Sequence, residues 1–170
     1  MKAVVVYESL FGNTHAVAEA VAEGLREGAD VEVIPVKDSS PAIVEGADLL
    51  VVGGPTHVHG MSSKLTRKGA LDDATKKGKT VPDVEGPALR EWIDGIGSVA
   101  TTRAAAFDTR LPPPKIIAGS AAKGIARRLR RHGFQVVGQE SFVVEHSEGP
   151  PAEGELERAR EWGRALVESY

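Results

Sequence analysis

Residues Val4–Thr14 read VVVYESLFGNT, and the rest of the chain can be ordered around them. The run Val4–Val6 is too short for a helix and entirely β-branched, which predicts a buried strand. It ends in a polar turn containing Gly12. Directly after it, Val17, Val21 and Leu25 recur at i, i+4 and i+8 among Ala16, Ala18, Ala20 and Ala22, the pattern of a helix with one apolar face. A strand, a tight turn and a helix start aim backbone N–H groups along the positive end of a helix dipole, a geometry that binds phosphate. Ser9, Asn13 and Thr14 add side-chain donors, and Gly12 permits close approach of the backbone. No Lys follows the glycine, which separates this loop from the triphosphate-binding kind, and the lack of G-x-G-x-x-G disfavours a dinucleotide. Hydroxyls and amides without a cation suit one phosphate monoester. The same residues also make an ordinary helix N-cap, so on their own they leave both readings open.

Composition narrows the class. The chain has 170 residues, enough for one domain with a full core over residues 1–170. A net charge of -3 argues against a general nucleic-acid binder. There is no Cys, so thiolate chemistry, disulfides and Cys-ligated metals are excluded, and any redox chemistry needs a bound cofactor. No apolar stretch approaches the roughly 18 residues of a membrane span, and the N-terminal apolar run is too short for a signal peptide. The expected location is the cytoplasm.

Further strands are predicted at Val31–Val36, with Pro35 fitting only an edge or a strand end, and at Ala47–Val52. A helical turn over Ala42–Glu45 lies between them. Thr102–Phe107 and Phe134–Val144 complete the strands, the last bent at Gly138. Helices are predicted at Pro87–Ile96, at Ala121–His132 after Ile116–Ser120, and at Glu155–Tyr170. Continuous apolar runs alternating with helices predict a parallel sheet covered on both faces. The stretch Met61–Gly97 is longer than one crossover helix needs. Its cations Lys64, Arg67, Lys68, Lys76, Lys77 and Lys79 read first as a solvated face, or else as a basic rim that steers an acidic partner.

The segment Y-E-S-L-F-G-N-T resembles the FMN-phosphate loop of the flavodoxin family, [ST]-x-x-G-[NQ]-T after a strand, through Ser9, Gly12, Asn13 and Thr14. Gly54, Pro55 and Thr56 resemble that family's second loop, which packs on the flavin ring, although His57 stands where an aromatic residue is usual. The resemblance implies a flavodoxin-like doubly wound sheet of five parallel strands, order 2-1-3-4-5, with FMN at its switch point. It implies that Ser9, Leu10, Phe11, Gly12, Asn13 and Thr14 hold the phosphate. Pro55, Thr56, His57 and Val58 would line one side of the ring, and Phe107, Asp108, Thr109 and Arg110 the other. No side chain is then needed as nucleophile or base. His57 and His59 form an H-x-H pair without further ligands, so loop or flavin-contacting histidines are preferred to a metal site.

Three functions follow from this reading. The first is a small electron carrier serving redox partner proteins. The second is an FMN-dependent oxidoreductase of the quinone reductase or protoporphyrinogen oxidase type. The third is a flavin-free binding module, since fold alone does not fix function. The cations Arg110 and the two histidines would favour the reduced, anionic flavin and raise its potential, with a pH dependence set by the histidines.

Overall fold

A computed structural model describes residues 1–57, 60–99, 102–112 and 119–169, with the backbone only at His57. Val58 and His59, the His57 side chain, Ala100 and Thr101, Pro113–Ala118 and Tyr170 lie outside the described residues, and with them part of the expected second loop, the lead into the fourth helix and the end of the last one.

The apolar run of the opening segment forms β1 (Lys2–Tyr7), whose residues are buried from Ala3 onward. It lies centrally because both faces are apolar. β2 (Asp30–Pro35) pairs with it in parallel on one side, and β3 (Leu49–His57) on the other. β3 pairs in parallel with β5 (Arg103–Arg110), and β5 with β6 (Gln135–Val143). A two-residue β4 (Gly60–Met61) turns back antiparallel onto Thr56 and His57. The five parallel strands thus run in the order 2-1-3-5-6, the expected arrangement once the short β4 is counted. Pro35 closes β2 at the sheet edge, where its missing N–H costs nothing. The expected bend at Gly138 is a register irregularity: Ala104 pairs with Val136 but Ala105 with Gly138.

Alternate strand residues face opposite layers. Val4, Val6, Leu50, Val52, Ala104 and Ala106 pack under α3 (Leu89–Asp94) and α4 (Ala121–Arg131). Val5, Leu49, Val51, Ala105 and Phe107 pack under α1 (Asn13–Leu25) and α5 (Glu155–Glu168). α1 and α5 approach closely because Gly163 sits on the Val21 carbonyl, where a Cβ would lie 2.2 Å from oxygen. The basic stretch after β4 forms α2 (Lys64–Lys77), started by a Ser63–Thr66 capping box.

Two strands outrun their sequence-based ends. β3 continues through Gly53–His57, because Gly54 and Pro55 pair with Asp108 and Thr109. Pro55 is tolerated there because β1 stops pairing at Gly53, so β3 is open on that side. β5 continues through Asp108–Arg110, paired to Ser141, Phe142 and Val143. Residues expected in loops are therefore held on strands.

Candidate functional site

The C-terminal ends of β1, β3 and β5 meet around the start of α1. That helix begins at Gly12, whose φ of 96° is left-handed and open to glycine without strain. α2 and α4 are capped by the side chains of Ser63 and Ser120, whereas no side chain caps α1, α3 or α5. The first-turn N–H groups of α1 remain available to an outside acceptor at the positive end of the dipole. Within the loop the Gly12 N–H donates to Ser9 Oγ at 3.0 Å, which leaves the Ser9 hydroxyl proton free to donate outward.

A cavity of about 130 Å3 opens beside this turn. Ser9, Leu10, Phe11, Asn13 and Thr14 line it from the first loop, Pro55 and Thr56 from β3, and Thr109 and Arg110 from β5. Thr14 Oγ1 and Thr109 Oγ1 share a buried hydrogen bond of 2.8 Å, tying the helix start to β5. The Asn13 side chain is already engaged: Nδ2 donates to the Ser147 carbonyl at 3.1 Å, so Asn13 holds the loop after β6 over the cavity. Arg110 reaches the same cavity, and its Nε is buried with no acceptor among the described residues. An orphaned cationic donor beside free helix amides is the chemistry of an anion site.

Two expected ring-contacting residues are elsewhere. Phe107 is fully buried in an aromatic cluster with Phe142 and Trp162, at ring separations of 6.1 and 6.3 Å. The reason is the strand's period of two: Phe107 shares the face of Ala105, under α1 and α5. Asp108 is fully buried on the opposite face. Its Oδ2 accepts from Ser120 Oγ at 2.7 Å, Ala122 N at 2.9 Å and Thr56 Oγ1 at 3.1 Å, so it anchors the start of α4. Neither lines the cavity.

Other residues at the site carried no sequence expectation. Leu111, Val144 and Ser147 line the cavity. Glu8, the residue before Ser9, is buried and accepts from Ser62 Oγ and, at 3.0 Å, from Leu89 N. Arg67, which looked like one cation of a solvated face, is buried beside it. Its Nη1 lies 3.7 Å from Glu8 Oε2, and it donates to the Glu85 and Gly86 carbonyls at 3.0 and 3.2 Å. Burial pushes the Glu8 carboxyl above its ordinary range, opposed by Ser62 and Arg67. A charged residue ending an otherwise apolar strand was the available signal, since a buried carboxylate requires partners.

The chain belongs to the flavodoxin family, whose sequence model matches residues 5–162. A flavodoxin of Aquifex aeolicus is 41% identical over 68 residues, a match that spans 39% of this chain and 37% of that protein's length. Among solved structures, a flavodoxin from the domain Archaea superposes with a TM-score of 0.69 at 24% identity, covering 99% of this chain and 98% of the other. The Streptococcus pneumoniae TIGR4 flavodoxin gives 0.67 at 17% identity with both chains fully covered. Two-electron-reduced Megasphaera elsdenii flavodoxin gives 0.61 at 19% identity, covering 98% of each chain. Family membership implies a flavin cofactor and, at the family level, electron transfer with redox partners. No described helix is long and apolar enough to cross a membrane.

Proposed function

We propose that this protein binds FMN and works as a small electron carrier. The observation that carries the reading is the uncapped start of α1 opening into the same cavity as the orphaned Arg110 donor. The cavity holds about four waters' volume, which suits a phosphate and its ester arm, with the ring at the mouth. The Ser9 and Thr14 hydroxyls and the first-turn amides would hold the phosphate. Pro55, Thr56, Thr109 and Arg110 would flank the arm and the near edge of the ring. FMN, when bound, supplies one- and two-electron transfer. Arg110 then favours negative charge beside it, and the Thr14–Thr109 bond fixes the helix start against β5. A cleft of about 460 Å3 lies on the β2 side of the loop, where Lys37 already pairs with Asp83.

The test is the absorbance spectrum of the purified protein and the mass of its released cofactor. The expected result is FMN, bound as purified or taken up on addition. FAD alone, or no uptake of FMN, refutes the proposal.

A further inference from the structure

The chain carries a net charge of -3, yet every charged residue of α4 is a cation. α4 places Lys123, Arg127, Arg128, Arg130 and Arg131 within nine residues and holds no Asp or Glu. Between α4, β4 and the start of α3 runs a groove of about 380 Å3 lined by Arg90, Lys123, Arg127, Arg128 and Arg131, with no carboxylate in its wall. Arg128 pairs with Asp94, but Lys123, Arg127, Arg130 and Arg131 have no ion-pair partner among the described residues. None of the remaining residues is Asp or Glu. The helix dipole accounts for cations in the last turn, not for Lys123 in the first turn or Arg127 before the last. By contrast, the cations of α5 are neutralised in place: Arg160 pairs with Glu23 of α1 and Arg164 with Glu27 in the turn after it.

The groove adjoins the candidate flavin site. Gly60 and Met61 of its wall are paired to His57 and Thr56 of β3. Ser120, also in its wall, bonds Asp108, the neighbour of Thr109 and Arg110. Thr56 of the cavity and Ser120 of the groove wall are joined through Asp108, which accepts from both. A protein docked there comes within a few side chains of the cavity.

We propose that the α4 face is the docking surface for an acidic one-electron redox protein. The step is simple: one electron leaves the reduced member of the pair and enters the oxidised member, and no group of α4 gains or loses a proton. Unpaired guanidinium groups steer an acidic partner and set its orientation, and this attraction is screened by salt. The electron in this proposal rests on the flavin reading; the docking does not.

Two measurements separate these. In the first, the 15N-labelled protein is titrated with unlabelled oxidised plant-type [2Fe–2S] ferredoxin, a strongly acidic probe, and amide shifts and line broadening are mapped. Perturbations centred on α4 and Arg90, and lost in Arg127→Glu/Arg131→Glu, support the proposal whether or not flavin is bound. Perturbations elsewhere, or none, overturn it. So does tighter binding of a 20-base-pair DNA duplex to the same face at equal salt, which would make it a nucleic-acid surface. In the second, stopped-flow mixing of the FMN-loaded protein with reduced ferredoxin should give a rate constant that falls about ten-fold or more as salt is raised. It should also fall at least about ten-fold at low salt in the double variant, while the rate with basic cytochrome c rises. Unchanged rates overturn the proposal. Arg127→Gln/Arg131→Gln, with smaller losses in the same direction, separates charge from any folding defect of the reversed variant.

Discussion

Replacing Gly53 by Ala tests the placement of Phe107 directly. A Cβ at Gly53 would lie 2.0 Å from Phe107 Cζ, 2.2 Å from Cε1 and 2.4 Å from Cε2, all inside van der Waals contact. The ring cannot simply turn away, because Phe142 and Trp162 meet it edge-on and it has no exposed surface. Overpacking of this kind costs about 1–3 kcal/mol, and three contacts this short place Gly53→Ala at the upper end. The loss of chain entropy in the unfolded state favours alanine by about 0.4–1 kcal/mol, too little to offset the clash. For a chain of this size the net effect is a fall in Tm of roughly 4–10 °C. Phe107→Leu alone should cost about 1–2 kcal/mol, below the loss for truncation to Ala. The double variant should be no worse than Phe107→Leu, since the shorter side chain vacates the space. The coupling energy would then be about 1–3 kcal/mol in favour of the pair. Urea and thermal unfolding of the flavin-free proteins measure this without the linkage contributed by bound ligand. The FMN spectrum and potential of Phe107→Leu should match the wild type. A silent Gly53→Ala with no coupling, or a flavin spectrum shifted by Phe107→Leu, would refute the burial of that ring against Gly53.

The combined substitution Ser9→Ala/Thr14→Ala removes two hydrogen bonds to a charged group, each contributing about 1.5–3 kcal/mol, so FMN affinity should fall by roughly two orders of magnitude or more. Titration with riboflavin should show a far smaller change, and equal weakening of both would mean the loop does not hold the phosphate. Arg110→Gln should make the potential for forming the reduced, anionic flavin more negative, by at most about 2–3 kcal/mol for a charge near 6 Å; potentiometry showing no shift would remove Arg110 from the ring. Glu8 is held above its ordinary carboxyl range by burial, so the folded state binds its proton more tightly than the unfolded one. Its contribution is complete below the ordinary value of 4.5 and is lost as pH rises through the raised folded value. The stability of wild type minus that of Glu8→Gln, from urea midpoints over about pH 4–8, should therefore decline as pH rises. A difference that is flat or climbs would mean that Glu8 is not desolvated.

What was legible in the sequence depended on how local its physical cause is. β1 and β3 announce themselves as unbroken apolar runs because both faces of a central parallel strand are covered, and α1 does so because one helix face alone is buried. The turn at Gly12 was legible because a glycine φ of 96° is a local property, but the absence of a side-chain cap on α1 was not, since Ser9, Asn13 and Thr14 read equally well as capping residues. The ends of β3 and β5 were not, since Gly-Gly-Pro-Thr and Asp-Thr-Arg have weak strand preference and are held extended by pairing with each other. Carrying β5 on by three residues decides the rest. Alternation then sends Phe107 into the α1–α5 core and Asp108 to the opposite face, while Thr109 and Arg110 both line the cavity, so four residues expected to act together are divided. Thr109 meets Thr14, Asp108 anchors α4, Phe107 fills the core and Arg110 alone keeps an unsatisfied donor at the cavity. The Glu8–Arg67 contact spans 59 positions, so no periodicity could disclose it; the mismatch of a carboxylate at the end of an apolar strand was the only trace. Such a carboxylate survives burial because Ser62 and the Leu89 amide bond it and Arg67 lies beside it. The same contacts lash α2 and the lead into α3 to the residue before the Ser9–Gly12 loop, so the loop's position is set from outside the elements that form it.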